Sequence, residues 1–189
     1  MTVTVVVGNP KPGSRTRAAG ELLAERLTGA APEHVVELTE LGARLLGWGD
    51  EAVGSAVRTV QTSSLVVFAS PTYKGTYTGL LKLFLDQFAG GTGLADVVAV
   101  PLMLGAGPAH AMAPDLTLKP VLAELGGTCA LPGLYLLDAG FRDDPALPAY
   151  ADRWGPVTRA LMALDGANDR CPIPAEGGRG DGPGRAPRD

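Results

Sequence analysis

Cysteine and histidine are both scarce in this chain, with two residues of each among 189. The cysteines, Cys129 and Cys171, form no CxxC pair and have no cluster of histidines beside them. This pattern argues against a disulfide framework and predicts no structural metal site. It also favours a reducing, cytoplasmic environment, because structural disulfides belong to oxidising compartments.

Long apolar runs are missing as well. No stretch approaches the roughly 20 apolar residues that a membrane-spanning helix requires. The short apolar stretch at the N-terminus has no positively charged segment before it, as a secretion signal would have. We therefore expect a soluble protein without a membrane span.

Charge is sparse and scattered. Only 19% of the residues are charged, and the formal net charge is -4. The basic residues outside the C-terminal segment occur singly, without the clustered stripe that would follow a nucleic-acid backbone; examples are Lys11, Arg15, Arg17, Lys74, Lys82 and Lys119. Nucleic acid is not an expected partner.

Apolar residues make up 46% of the chain, which is enough for one buried core. They form five short, strand-like runs, at 2–7, 35–38, 65–69, 97–104 and 134–137. Helical patterns alternate with them, at about 15–27, 51–61, 77–88, 115–125 and 148–164. Strands that alternate with helices predict an α/β fold: a doubly wound, five-stranded parallel sheet with helices on both faces.

Two features interrupt this regular pattern. Pro101 falls inside the fourth run, where a missing N–H donor predicts a local irregularity in the sheet. From residue 166 onward the composition changes to glycine, proline, arginine and aspartate without periodicity. We expect one domain over residues 1–165 and a disordered tail over 166–189.

Doubly wound sheets bind ligands beyond the carboxyl ends of their strands, which directs attention to three loops. The first reads GNPKPGSRT from Gly8 and leads directly into a helix. Free N–H groups at the helix start favour an anion. The other reading is a plain loop with a serine cap. The candidate anion-binding residues are Asn9, Lys11, Ser14, Arg15 and Thr16.

Two nucleotide motifs come close to this loop and fail. GxxxxGK[ST] is matched as far as Gly13, but Ser14 occupies the position of the lysine, which disfavours a nucleoside triphosphatase. GxGxxG would need glycine where Pro10 stands, which disfavours dinucleotide binding by this loop, although Glu37 lies about where a ribose-binding acid would be expected.

The second and third loops suit a flat ring. SPTYKGTYTG follows the third strand, and Tyr73 or Tyr77 could pack on a ring, although either could instead be part of the core. GAGPAH follows the fourth strand and carries little side chain to obstruct a ligand. His110 either flanks the ring or makes a structural hydrogen bond. The candidate residues are Pro71, Thr72, Tyr73, Lys74, Gly75, Gly105, Ala106, Gly107 and His110.

Together, the three loops resemble those of the NAD(P)H-dependent FMN reductase family, in its flavodoxin-like form, over about residues 3–140. Within this family, the loops look like those of the flavin reductases that supply two-component alkanesulfonate monooxygenases. The resemblance implies FMN and NADPH or NADH as cofactors, with the FMN phosphate held at Asn9, Lys11, Ser14 and Thr16. It also implies flavin contacts at the residues of the second and third loops.

Asn9 and Lys11 replace the serine and arginine usual in the family, which removes a planar guanidinium fork and predicts a lower affinity for phosphate. Some of these reductases carry an extra aromatic residue or histidine in their fourth helix, linked to a π-bulge and to weak flavin retention. Leu116 stands at that position here. Pro120 cannot donate to the carbonyl of residue 116, which predicts a bulge or kink.

The implied activity is reduction of FMN, by hydride transfer from nicotinamide to flavin, for a partner monooxygenase. An FMN-retaining quinone or azo-dye reductase and a non-catalytic flavin electron carrier remain as alternatives. No residue is assigned as a general acid or base, and we interpret Asp86, Asp115 and Cys129 as structural. The resemblance also implies a homodimer or homotetramer.

Overall fold

Five parallel strands form a single sheet in the computed structural model, which describes residues 1–168. The strand order is β2-β1-β3-β4-β5. The strands are β1 (Val3–Val7), β2 (His34–Glu37), β3 (Leu65–Pro71), β4 (Val98–Gly105) and β5 (Leu134–Leu137). The sequence-based prediction of a flavodoxin-like, doubly wound parallel sheet is confirmed.

Helices cover both faces of this sheet. They are α1 (Arg15–Thr28), α2 (Leu38–Leu41), α3 (Glu51–Gln61), α4 (Gly79–Leu85), α5 (Lys119–Glu124) and α6 (Ala146–Asn168). One buried cluster packs α1 and α6 against the sheet, and a second packs α3, α4 and α5 against the other face. Burial on both faces explains why the strands are apolar runs rather than alternating patterns.

Some predicted boundaries differ from the observed ones. Leu38 begins α2 instead of ending β2, and the helix predicted over 77–88 is α4, over Gly79–Leu85. Helix α6 extends to Asn168, and the rest of the predicted tail lies outside the described residues. Within residues 1–168, no helix combines the length and apolar character needed to cross a membrane.

Pro101 lies in β4 without breaking the strand. The N–H of Ala99 donates to the carbonyl of Thr128 on the β5 side of β4, at 3.1 Å. Because alternate residues of a strand point their N–H groups to the same side, the nitrogen of Pro101 also faces β5. Pairing with β5 begins one residue later, where Leu102 lies opposite Leu134. The irregularity predicted at Pro101 is therefore a gap in the β4–β5 ladder.

A π-helical turn over Pro114–Leu118 precedes α5. The N–H of Lys119 donates to the carbonyl of Pro114, five residues earlier. Pro120 has no N–H for the carbonyl of Leu116, so the wider turn follows from a local defect in the helical ladder. The bulge that the sequence predicted at this proline is confirmed.

The segment that precedes β5 holds this π-turn in place. Lys119 Nζ donates to the carbonyl of Leu131 at 2.7 Å, and the N–H of Gly133 donates to Asp115 Oδ1 at 2.9 Å. Lys119 and Asp115 also approach each other at 3.7 Å. Asp115 thus has a structural role, as the sequence suggested.

Candidate functional site

A cleft of about 390 Å³ opens at the carboxyl edge of the sheet. Residues from the first, second and third loops line it together. Its lining consists of Asn9, Lys11, Gly13, Ser14, Arg15, Thr16, Pro71, Thr72, Tyr73, Leu104, Gly105, Ala106 and Asp138. Ten of the fourteen residues that the sequence singled out are in this set.

Side-chain hydrogen bonds shape the first loop. Asn9 Nδ2 donates to Thr16 Oγ1 at 2.9 Å, and Asn9 Oδ1 accepts from the N–H of Lys11 at 2.9 Å. Ser14 caps α1, because its Oγ accepts from the N–H of Arg17 at 3.3 Å. The loop therefore reaches the helix start in a fixed conformation.

The start of α1 offers hydrogen-bond donors to the cleft. In residues 1–168, the N–H groups of Ser14, Arg15 and Thr16 have no acceptor. They lie at the positive end of a 14-residue helix, and Lys11 lines the same end of the cleft. This arrangement can hold a phosphate group.

Glu37 supports the loop from below. Its buried carboxylate accepts from the N–H of Gly13, at 3.2 and 3.3 Å, and pairs with Arg17 at 3.0 Å. Hydrogen bonds to Glu21 and Glu37 raise the pKa of Arg17 above its ordinary value. Glu37 lies where the sequence suggested a ribose-binding acid, but its contacts are with the loop.

The second loop contains a tight hairpin. Tyr73 and Thr76 exchange main-chain hydrogen bonds at 2.8 and 3.3 Å. Lys74 and Gly75 between them have φ values of +54° and +83°, the positive φ pair typical of a type I′ turn. Lys74 and Gly75 form the tip of this turn and do not line the cleft.

The two tyrosines of this loop have different environments. Tyr73 lines the cleft, and 52% of it is exposed. Tyr77 packs against the buried cluster around α4, and burial raises the pKa of its phenol. Core packing therefore accounts for Tyr77.

Thr72 carries a buried polar atom without a partner. Its N–H donates to the carbonyl of Leu104 at 2.6 Å, which fixes the residue at the cleft. Its Oγ1, in contrast, is inaccessible to solvent and has no hydrogen-bond partner among the described residues. An orphaned hydroxyl beside a cleft is satisfied when its side chain turns toward a ligand that offers a hydrogen-bonding edge.

A second cavity, of about 550 Å³, adjoins the cleft through Thr72, Gly105 and Ala106. The other residues of its lining are Gly107, Pro108, Ala109, His110 and Tyr135. Tyr135 was not identified from the sequence. Its hydroxyl donates to the carbonyl of Gly107 at 2.6 Å and fixes the third loop.

Asp138 was also missed, although it lies directly after β5, at the same edge of the sheet. Its Oδ2 is 3.1 Å from Arg15 Nη2, and its main-chain oxygen accepts from Arg15 Nη1 at 3.4 Å. The rule that points to the carboxyl ends of strands would have found Asp138 if it had been applied to the fifth strand.

The remaining reactive side chains have structural surroundings. Asp86 pairs with Lys82, and burial raises the pKa of the Cys129 thiol, which makes it a poor nucleophile. Within residues 1–168, no group of three or more histidine, cysteine, aspartate or glutamate side chains could hold a metal ion.

A cleft at the carboxyl edge of this sheet, with an anion subsite at the start of α1, is typical of a flavodoxin-like protein that binds a phosphorylated cofactor. The sequence model of the NADPH-dependent FMN reductase family matches residues 1–142. The chain belongs to that family. It is an oxidoreductase that uses FMN and NAD(P)H, as the resemblance of its loops predicted.

Curated relatives agree with this assignment. The chain is 29% identical over 143 residues to FMN reductase (NADPH) of Escherichia coli (strain K12), covering 74% of this chain and 74% of that protein. It is 31% identical over 153 residues to the NADH-dependent FMN reductase SfnE of Pseudomonas putida, covering 76% of this chain and 80% of that protein.

Solved structures share the fold. The apo form of NADH:FMN oxidoreductase EMOB aligns with a TM-score of 0.71 and 24% identity, over 86% of this chain and 89% of that one. An oxidoreductase from Corynebacterium diphtheriae aligns with a TM-score of 0.72 and 20% identity, over 88% and 98% of the two chains.

Proposed function

We propose that the protein uses FMN as a dissociable substrate and delivers reduced FMN to a separate monooxygenase. The main support for this proposal is the set of residues at the phosphate end of the cleft, next to the start of α1. It offers main-chain N–H groups and Lys11, while its arginine, Arg15, is already engaged by Asp138. A phosphate held without a free guanidinium fork leaves more readily.

Different residues of the cleft contact the phosphate and the ring of the flavin. Lys11, Ser14, Arg15 and Thr16 surround the phosphate, and Asn9 keeps the loop in shape. Tyr73 packs on the ring, Pro71 supports it, and Thr72 Oγ1 hydrogen-bonds its polar edge. The main chain of Gly105, Ala106 and Gly107 borders the ring on the β4 side, close to His110.

Hydride transfer from C4 of the nicotinamide to N5 of the flavin is the chemistry that the bound cofactors supply. The protein contributes orientation and exclusion of water, and it requires no general acid or base. Both NADPH and NADH are candidate hydride donors, because relatives of the chain are named for one or the other.

The proposal also includes a cytoplasmic homodimer or homotetramer. In an oligomer, a second copy of the chain would cover large apolar side chains such as Trp48, which is 78% exposed, and Leu116, which is 69% exposed. The relatives named FMN reductase support the activity, and the few cysteines support the location.

Anaerobic oxidation of NADPH and NADH by flavin-stripped protein tests this function. FMN is varied from well below to well above the enzyme concentration. We expect the rate to saturate only with FMN in large excess, and free reduced FMN to accumulate. Reduction of one equivalent of FMN, followed by turnover only when a quinone or dye is added, would indicate the FMN-retaining alternative. Flavin binding without nicotinamide oxidation would indicate an electron carrier.

Replacing Thr72 with valine is expected to have opposite effects on stability and binding. The isosteric change removes an orphaned hydroxyl, so the flavin-free protein gains about 0.5–1 kcal/mol. The same change removes a hydrogen bond to the flavin, so the Kd for FMN rises about fivefold. Thermal unfolding and flavin fluorescence titration measure the two effects.

Thr72→Ser is the matched control, because it keeps the hydroxyl, and both quantities should stay near the wild-type values. A Thr72→Val protein that binds FMN as tightly as the wild type would remove Thr72 from the site.

A further inference from the structure

The phosphate end of the cleft contains a negative charge. Asp138 lines the cleft together with Lys11 and Arg15, so a carboxylate lies beside the proposed place of a phosphate. A group that repels the ligand has no evident use in a site that only needs to bind. The ion pair between Asp138 and Arg15 explains how this carboxylate can act.

Asp138 engages Arg15 through two contacts. Its carboxylate is 3.1 Å from Nη2 of the guanidinium, and its main-chain oxygen accepts from Nη1 at 3.4 Å. The pair connects the start of α1 with the end of β5. A smaller cavity of about 260 Å³ lies against the same two side chains and is lined further by residues 139–143. The bridge therefore borders two cavities.

The ion pair is weak enough to be exchanged. The side chain of Arg15 is 63% exposed and that of Asp138 is 33% exposed, so solvent screens their attraction. A phosphate dianion forms stronger, charge-assisted hydrogen bonds with a guanidinium than water does. Arg15 can turn from Asp138 to a phosphate, but this leaves the Asp138 carboxylate next to the phosphate without its partner.

We propose that Asp138 sets the retention of FMN by competing with the phosphate for Arg15. The inference rests on the proposed function, because it assumes that the phosphate lies at this end of the cleft. In the presence of Asp138, each gain of an Arg15–phosphate contact is offset by the loss of the Arg15–Asp138 contact. Asp138 thereby favours release of the flavin without contacting its ring.

The test compares FMN with riboflavin, which lacks the phosphate. The ratio of the riboflavin Kd to the FMN Kd isolates the contribution of the phosphate, and flavin fluorescence titration of the stripped full-length protein gives both constants. We expect Asp138→Asn to raise this ratio about fivefold, an effect of the size that exposed ion pairs allow, with the riboflavin Kd unchanged. Asp138→Ser should give the same result, and high salt should reduce the difference.

Asp143→Asn is the matched control. It makes the same change of net charge beside the smaller cavity, but Asp143 makes no ion pair with Arg15. We expect its ratio to remain within about twofold of the wild type, since exposed charges without a close partner interact weakly. In an Arg15→Gln background, Asp138→Asn should lose most of its effect.

Two results would overturn the inference: an unchanged or lower ratio in Asp138→Asn, or a full effect that persists in the Arg15→Gln background. Lys11→Gln separates this failure from a failure of the proposed function. If Lys11→Gln lowers the ratio while Asp138→Asn does not raise it, the phosphate site is retained and only the competition is wrong. If wild-type protein binds FMN no more tightly than riboflavin, the phosphate site itself is wrong.

Discussion

Gly105→Ala is expected to weaken FMN binding at least tenfold and to destabilise the protein by about 2 kcal/mol, which is typical of overpacking at a crowded position. A Cβ at Gly105 would lie 1.8 Å from the Tyr135 hydroxyl. Tyr135 must then move and lose its hydrogen bond to Gly107, so the third loop loses its support. Flavin titration and thermal unfolding of the flavin-free protein measure the two effects.

Gly107→Ala is the control for this substitution. Gly107 lines the same cavity, but a Cβ there would have no atom within 4 Å. The substitution should therefore leave the stability of the flavin-free protein close to the wild type. Equal losses of stability in the two variants would mean that Tyr135 does not position the third loop.

Gly126→Ala is expected to give the largest loss of stability, about 3 kcal/mol or more, since it combines a strained backbone with a steric clash. Gly126 follows α5 with a φ of +89°, and its Cβ would lie 2.2 Å from the carbonyl oxygen of Gly91. The obstacle is main chain, which cannot turn aside as a side chain can. Chemical denaturation at equilibrium measures the loss.

Gly29→Ala separates the two causes. Gly29 follows α1 with a φ of +88°, but its Cβ would meet no atom within 4 Å. Its replacement should cost only about 1 kcal/mol, the usual penalty for a left-handed alanine. If Gly126→Ala costs no more than Gly29→Ala, the loop around Gly91 adapts without strain.

Features that depend on neighbouring residues were predictable from the sequence. The alternation of strands and helices predicted the sheet, and the missing donor of Pro120 predicted the π-turn. The three loops could be selected because the carboxyl ends of parallel strands share one edge. These inferences need only local periodicity and a general rule of topology.

Features that depend on distant residues were not predictable in this way. Arg15 and Asp138 are 123 positions apart, and their contact follows from the order of the strands rather than from any pattern near either residue. Tyr135 resembled an ordinary strand residue, because its hydrogen bond to Gly107 forms only after β5 pairs with β4. Lys74 and Gly75 lie at the tip of a hairpin with positive φ values and do not line the cleft, and their contact with flavin stays a prediction.

The gap in the sheet at Pro101 also has a consequence for the wide turn before α5. Because proline offers no donor there, the chain between Thr128 and β5 is free to leave the sheet. In this segment, the carbonyl of Leu131 accepts a hydrogen bond from Lys119, and the N–H of Gly133 donates to Asp115. Pro101 and Pro120 each remove one main-chain hydrogen bond, the first from the sheet and the second from the helix. The segment that contains Leu131 and Gly133 lies between these two sites and connects the helix to the sheet.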